Sequence, residues 1–206
     1  MKKTISRPGN SLRIIAGKWR SRKLSFPDVT GLRPTADRVR ETLFNWLQDA
    51  IQREDCLDLF AGSGACGIEA LSRGARHVSF VDNSSVAVQA IRSNLQLLQA
   101  EGYALICDDS LRWLESGGKA VSNQPLPAQY GLVFIDPPFG TELLAGSARA
   151  LEQSGLLRDG ALIYLEWAQD IPSTGMPRAW QLLKSKRAGA VHFCLYQRQP
   201  AAEVAS

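Results

Sequence analysis

Asp55-Cys56-Leu57-Asp58-Leu59-Phe60-Ala61-Gly62-Ser63-Gly64-Ala65-Cys66-Gly67 decides how this chain of 206 residues folds. Asp55–Phe60 reads as a short buried strand, apolar enough to be covered on both faces. Gly62, Gly64 and Gly67 then satisfy G-x-G-x-x-G, and a helix is expected over Ile68–Arg73. Glycines so spaced let backbone pass close to a ligand at the turn from strand to helix.

Working outward, the same alternation repeats. Strands are expected at Arg76–Val81, ending at Asp82, at Tyr103–Ile106, at Tyr130–Ile135 and at Gly160–Glu166. Helices are expected at Ser84–Gln99, from Ser110 to Leu114, and at Glu142–Gln153. Glu115–Gln129 is rich in Gly, Ser, Asn and Pro and reads as a surface loop. Trp180–Arg187 and Val191–Arg198 flank Ala188-Gly189-Ala190 as an antiparallel hairpin. Alternating strands and helices predict an α/β fold with a mostly parallel sheet and right-handed crossovers. Such sheets bind ligands beyond the C-terminal strand ends, near the switch in strand order. Gly62–Gly67, Asp82, Asp109 and Asp136 all fall at such ends.

The glycine loop alone would suit a dinucleotide, with Asp82 on the ribose. Two features favour S-adenosylmethionine. The carboxylate of Asp58, just before Phe60-Ala61-Gly62-Ser63-Gly64, suits the ammonium of a methionine moiety and not a pyrophosphate. Asp82, followed by Asn83, then accepts from ribose hydroxyls, and Asp109 from the adenine amine, with Ser110 beside it. The second feature is Asp136-Pro137-Pro138-Phe139, after the apolar run Leu132–Ile135. Neither proline donates an N–H, both fix φ, and each extends the residue before it. A carboxylate, backbone carbonyls and an aromatic face are thereby held in one rigid cluster. That cluster matches a planar base with an exocyclic NH₂, and either guanine or adenine would serve.

Charge divides the chain. Residues 1–40 hold eleven Lys/Arg against Asp28 and Asp37, a net of +9, within a total of only +4. A basic arm on a mildly acidic body suits a polyanion such as a nucleic acid. Residues 1–11 and those from Pro200 read as disordered tails. Leu12–Ala16 and Trp19–Leu24 around Gly17-Lys18 predict a hairpin with Arg13, Lys18, Arg20, Arg22 and Lys23 along phosphates and Trp19 as a stacking surface. A helix is expected from Thr35, as N-cap, to Ala50, with Val39, Leu43, Trp46, Leu47 and Ala50 as its apolar stripe. Arg33, Arg38 and Arg40 join the candidate RNA contacts. The reading is therefore a basic extension over 12–50 and a Rossmann-like domain over 51–199.

Four scattered cysteines and two histidines give no zinc, disulfide or triad pattern, so no metal is expected. No stretch approaches the roughly 20 apolar residues of a membrane span, and Met1-Lys2-Lys3 opens no signal sequence. A cytoplasmic monomer is expected.

The sequence closely resembles the RsmD-type 16S ribosomal RNA guanine-N2 methyltransferases of bacteria. The resemblance is carried by Arg13–Arg20, Leu32–Thr35, Asp37–Leu47, Asp58–Gly64, Glu69–Arg73 and Asp136–Phe139, within a match from about residue 12 to 198. It implies a class I S-adenosylmethionine-dependent fold of seven strands. It also implies methylation of the 2-amino group of one guanine in a small-subunit rRNA hairpin loop, on an assembled or assembling subunit. Cys66 stands where a larger aliphatic is more usual in that family, and Asp82 where glutamate is common.

Overall fold

The structure, a computed structural model, describes residues 10–26, 37–119, 125–138, 141–167 and 175–200. It opens with β1 (Asn10–Arg13), β2 (Lys23–Phe26) and α1 (Asp37–Trp46). The body follows as β3 (Asp55–Asp58), α2 (Ala65–Ser72), β4 (His77–Asp82), α3 (Ser85–Leu97), β5 (Tyr103–Cys107) and α4 (Ser110–Glu115). It closes with β6 (Tyr130–Ile135), α5 (Thr141–Gln153), β7 (Leu157–Trp167), β8 (Trp180–Ala188) and β9 (Val191–Arg198).

The main sheet has seven strands in the order β5-β4-β3-β6-β7-β9-β8. β3 to β7 are parallel, and β9 enters antiparallel between β7 and β8. The expected α/β architecture with its antiparallel C-terminal hairpin is present. The chain winds from β3 outward to β5, then returns to lay β6 against the other side of β3. The switch in strand order therefore falls between β3 and β6, where α/β sheets open a ligand crevice. β6 is buried along its whole length, as its unbroken apolar run requires.

Local chemistry sets the helix starts. The Ser84 hydroxyl caps α3 by accepting from Ala87 N–H at 3.3 Å, and Asp109 caps α4 by accepting from Arg112 N–H at 3.0 Å. One apolar cluster joins β1, β2, α1, α2 and α3 to one face of the sheet; a second lies on the other face under α4 and α5.

The N-terminal hairpin departs from expectation. Its strands are Asn10–Arg13 and Lys23–Phe26, paired Leu12 to Leu24, and not the two runs flanking Gly17. Beyond the cross-hairpin bonds of Ile14 N–H to Arg22 O and Ser21 N–H to Ile14 O, residues 14–22 form a loop in which the N–H groups of Ile15, Ala16, Lys18 and Trp19 bond to α2. Glu69 accepts from Ile15 and Ala16 N–H at 2.8 and 3.0 Å. Ser72 receives Lys18 N–H on its carbonyl at 2.7 Å and Trp19 N–H on its hydroxyl at 3.0 Å. Asn10 is already strand, inside the segment expected to be a tail. The proposed N-cap Thr35 lies outside the described residues.

Candidate active site at the carboxyl edge of the sheet

The glycine loop is clamped by backbone. Leu59 N–H donates to Phe134 O at 3.1 Å, and Ala61 N–H to Val81 O at 3.0 Å. Gly62 N–H donates to Asp82 Oδ2 at 2.7 Å, while Asp82 Oδ1 accepts from Ser84 N–H at 2.8 Å. Asp82 thus fixes loop and helix start together, and a carboxylate has lone pairs left for a further donor. Gly64 sits before α2 at φ +75, a left-handed geometry that a side chain resists. Gly67 brings α2 onto the sheet: a Cβ there would meet the Phe80 ring and lie 2.9 Å from Val78 Cγ1.

Asp58 closes β3 beneath this loop. It is buried, and its Oδ2 accepts from Gly67 N–H at 2.9 Å. Burial raises its carboxyl from the ordinary 3.8 to about 7; the Gly67 hydrogen bond opposes the rise and the neighbouring Asp82 adds to it. A buried acid poised this way favours a cationic partner. Phe60 is half-buried and Ala61 and Ser63 are buried in the loop; Asn83 is exposed after Asp82.

Asp136 and Pro137 follow β6 half-buried, and Pro138 is exposed. β6 pairs with β3 on one side and β7 on the other, so Asp136 leaves the sheet beside Asp58's strand at the switch point. Phe139 and Arg33 lie outside the described residues.

The structure adds Glu166, which the sequence reading did not single out. Ile135 pairs with Leu165 in parallel register, so the next residues, Asp136 and Glu166, end adjacent strands. Glu166 is buried, and its Oε2 accepts from Tyr164 O–H at 2.7 Å. Burial, reinforced by Glu166, Cys66 and Asp136, pushes the Tyr164 hydroxyl well above its ordinary range, so it stays a donor. The pattern that marks Asp58, Asp82 and Asp136, an acid closing an apolar strand, marks Glu166 as well.

Three expected roles are corrected. Trp19 is only 8% exposed and belongs to the core, so its ring is no platform for a base. Arg40 is 0% exposed, sealed under the hairpin. Its Nη2 donates to Arg13 O at 2.9 Å and to Asp37 Oδ1 at 2.5 Å, which removes it from the surface cations. Ser110 is buried with its hydroxyl donating to Leu59 O at 2.5 Å, which commits that hydroxyl to tying α4 to the loop. Asp109 remains exposed at the α4 cap. Arg13, Lys18, Arg20, Arg22, Lys23 and Arg38 are exposed. A cleft of about 470 Å³ between the hairpin and α1, lined in part by Arg13, Arg20 and Lys23, shares no residue with the glycine loop or Asp136.

The family described as Conserved hypothetical protein 95 matches residues 12–197. Ribosomal RNA small subunit methyltransferase D of Escherichia coli K12 is 41% identical over 203 residues, 98% of each chain. The chain belongs to this methyltransferase family. The solved structure of the Escherichia coli protein yhhF is 42% identical, with a TM-score of 0.80 over 92% of this chain and 99% of that one. At 16% identity, a likeness of fold alone, the chain also superposes on a Thermus thermophilus 16S rRNA N2 G1207 methyltransferase solved with AdoMet and guanosine. That match has a TM-score of 0.64 and covers 93% of this chain and 50% of the other. The fold is thus that of class I S-adenosylmethionine-dependent methyltransferases. Among the described residues no helix is long and apolar enough to cross a membrane.

Proposed function

We propose that this protein transfers a methyl group from S-adenosylmethionine to the exocyclic N2 amine of one guanine in small-subunit ribosomal RNA, in the context of the subunit and in the cytoplasm. The reading is carried by one observation: the end of β6, bearing Asp136 and Pro137, stands next to the β3 end, bearing Asp58 and the glycine loop, at the switch point of the sheet.

S-adenosylmethionine fits these residues. The buried carboxyl of Asp58, near half-ionised at neutral pH, suits the ammonium of the methionine moiety. The glycine turn, left-handed at Gly62 and Gly64, gives the backbone the tight course that close approach to a ligand needs. Asp82, at the end of β4, would accept from the ribose hydroxyls, and exposed Asp109 from the adenine amine. When bound, the cofactor supplies an electrophilic methyl on a sulfonium.

The remaining work belongs to the chain. A guanine N2 lone pair is delocalised into the ring and attacks poorly. Asp136 and the Pro137 carbonyl accept its two N–H bonds, which localises the lone pair and fixes the line of approach. Orientation of this kind is worth several kcal/mol. The amine loses its proton after it has become cationic, so no strong base is needed beforehand. Pro138 keeps the turn rigid, and Phe139 supplies the stacking face for a base that sits unstacked in a loop. The exposed Arg13, Lys18, Arg20, Arg22, Lys23 and Arg38, with Arg33, hold rRNA phosphates and give salt-dependent affinity.

The test uses small subunits from cells lacking this chain, tritiated methyl donor and nucleoside mass spectrometry. N2-methylguanosine is expected from the wild type. Asp136→Ala is expected to lose at least a hundredfold in transfer while calorimetric cofactor affinity stays within about threefold. N6-methyladenosine as the product, or equal loss of affinity and transfer, sinks the assignment.

A further inference from the structure

We infer that the outer strand β8 is a second rRNA-binding surface, which grips phosphates beside the target base in addition to those held by the N-terminal hairpin. The inference rests on the rRNA methyltransferase reading above.

Strand geometry brings β8 to the right edge. β9 runs antiparallel to β7, and β8 antiparallel to β9, so β8 runs the same way as β7. Its last residues therefore finish at the edge that holds Asp136 and Glu166. The registers give the rows. Glu166 pairs with Phe193, which pairs with Lys186; Trp167 pairs with His192, which pairs with Arg187. Strands lie about 4.8 Å apart, so Lys186 stands two strands, roughly 10 Å, from Glu166. Asp136 is one strand further, a reach of a nucleotide or two along an RNA chain.

The face is defined as well. Directly opposed residues of an antiparallel pair project to the same side. Lys184 and Lys186 oppose Leu195 and Phe193, which belong to the cluster under α1. Trp46 of α1 packs on Phe193 with ring centroids 5.3 Å apart, and Lys184 Nζ stands 5.9 Å from the Trp46 centroid. The two lysines thus continue the side of the sheet that carries α1 and the basic hairpin. Arg187 projects to the opposite side at the same end, its Nε donating to Gly189 O at 2.8 Å.

Charge selects the partner. β8 reads Trp-Gln-Leu-Leu-Lys-Ser-Lys-Arg-Ala, with three cations and no acid. Its residues from Gln181 to Arg187 are exposed. None of the three cations has a carboxylate within ion-pair distance among the described residues, whereas Arg76, Arg112, Arg158 and Arg198 are each paired. Lysines on an edge strand also discourage edge-to-edge pairing. That role is indifferent to sign, since glutamates block pairing equally well. Phosphate binding is not, and charge reversal separates the two.

The experiment compares the wild type with the triple variant Lys184→Glu, Lys186→Glu, Arg187→Glu, and with the corresponding glutamine triple as a milder second variant. Binding to small subunits and to deproteinised 16S rRNA is measured by sedimentation across a salt series, alongside methyl transfer, cofactor calorimetry and thermal unfolding. The reversed variant is expected to raise KM for subunits at least tenfold with kcat within about twofold. Its salt slope should fall by about 2, from three lost single-strand phosphate contacts at about 0.7 each. The glutamine triple should show the same slope change with a smaller KM rise. Cofactor affinity and Tm should not move. Unchanged KM and slope in both folded variants overturn the inference. So does weaker binding to subunits with unchanged binding to bare rRNA, which assigns the strand to a ribosomal protein. A wild type that methylates no rRNA overturns the parent reading instead, and the sedimentation arm then decides the surface alone: unchanged binding by both variants overturns it.

Discussion

Lowering the pH should weaken cofactor binding through one residue, Asp58. Its carboxyl is held at about 7 by burial, with Gly67 N–H as a donor at 2.9 Å. A methionine ammonium placed against it requires the ionised form. At pH 6 only about one apo molecule in ten is ionised, so binding must expel close to one proton there. Affinity should fall about tenfold per pH unit below pH 6, or about 1.4 kcal/mol each. Titrations between pH 5.5 and 7 keep the ligand's own α-ammonium charged, because such groups titrate near 8. Calorimetry in two buffers of different ionisation enthalpy reads affinity and proton release together. Asp58→Asn should bind weakly and without slope. The apo protein carries the linked signature. A carboxyl whose folded value is raised stabilises the fold fully below its unfolded value of 3.8, and that contribution is lost as pH rises through about 7. The whole rise corresponds to about 4 kcal/mol at 1.36 kcal/mol per pH unit. Asp58→Asn should therefore exceed the wild type in apo stability at pH 8, with the gap closing toward pH 4. Wild-type affinity constant within twofold from pH 5.5 to 7 would refute the placement of a cation at Asp58.

Two substitutions test how the loop and the hairpin are held. Gly67→Ala drives a methyl into Phe80 and to 2.9 Å from Val78 Cγ1; overpacking of this kind costs about 1–3 kcal/mol. For a chain of this size each kcal/mol lowers Tm by about 2–4 °C, so calorimetry should find a drop of several degrees and an unchanged Tm would contradict the packing. Glu69→Ala removes a fully buried carboxylate that holds Ile15 N–H, Ala16 N–H and Arg73 Nε at 2.8, 3.0 and 2.7 Å. Breaking such a buried cluster costs about 3–5 kcal/mol. Limited proteolysis should then cut within 14–22 while the sheet persists, and a hairpin as protected as in the wild type would show that Glu69 is not its anchor.

How much was legible in the sequence depends on whether the cause was local. The strands from Asp55 to Ile135 could be read because each centres on β-forming apolar residues and runs into Asp, Gly or Pro. The acids at strand ends could be read because parallel strands bring like ends to one edge. Arg40 shows the limit. Arg40, Leu43, Phe44 and Leu47 are spaced as i, i+3, i+4 and i+7, the spacing of a core face, and all four are buried. A stripe drawn through Val39, Leu43, Trp46 and Leu47 instead left the arginine outside and half-exposed Trp46 inside. A charged residue on an apolar stripe is ambiguous until its partners are known; Asp37, three residues back, is a local one, but the carbonyl of Arg13, the other, lies 27 residues away.

Nor could the hairpin's register be read, because what sets it is α2. The carboxylate of Glu69 lies 53 and 54 residues from the N–H groups that it holds, and no local propensity encodes so distant a bond. The consequence is mechanical. The N-terminal end of α2 donates Gly67 N–H to Asp58 beneath the glycine loop, and its C-terminal half holds the hairpin through Glu69 and Ser72. α2 is eight residues long and buried throughout. A helix so short and so fully packed cannot shift one end without the other. The glycine loop and the basic loop are therefore held by one rigid piece, so a phosphate bound at Arg20 or Arg22, as proposed, would be registered to the glycine loop through α2 by the hydrogen bonds of Asp58, Glu69 and Ser72.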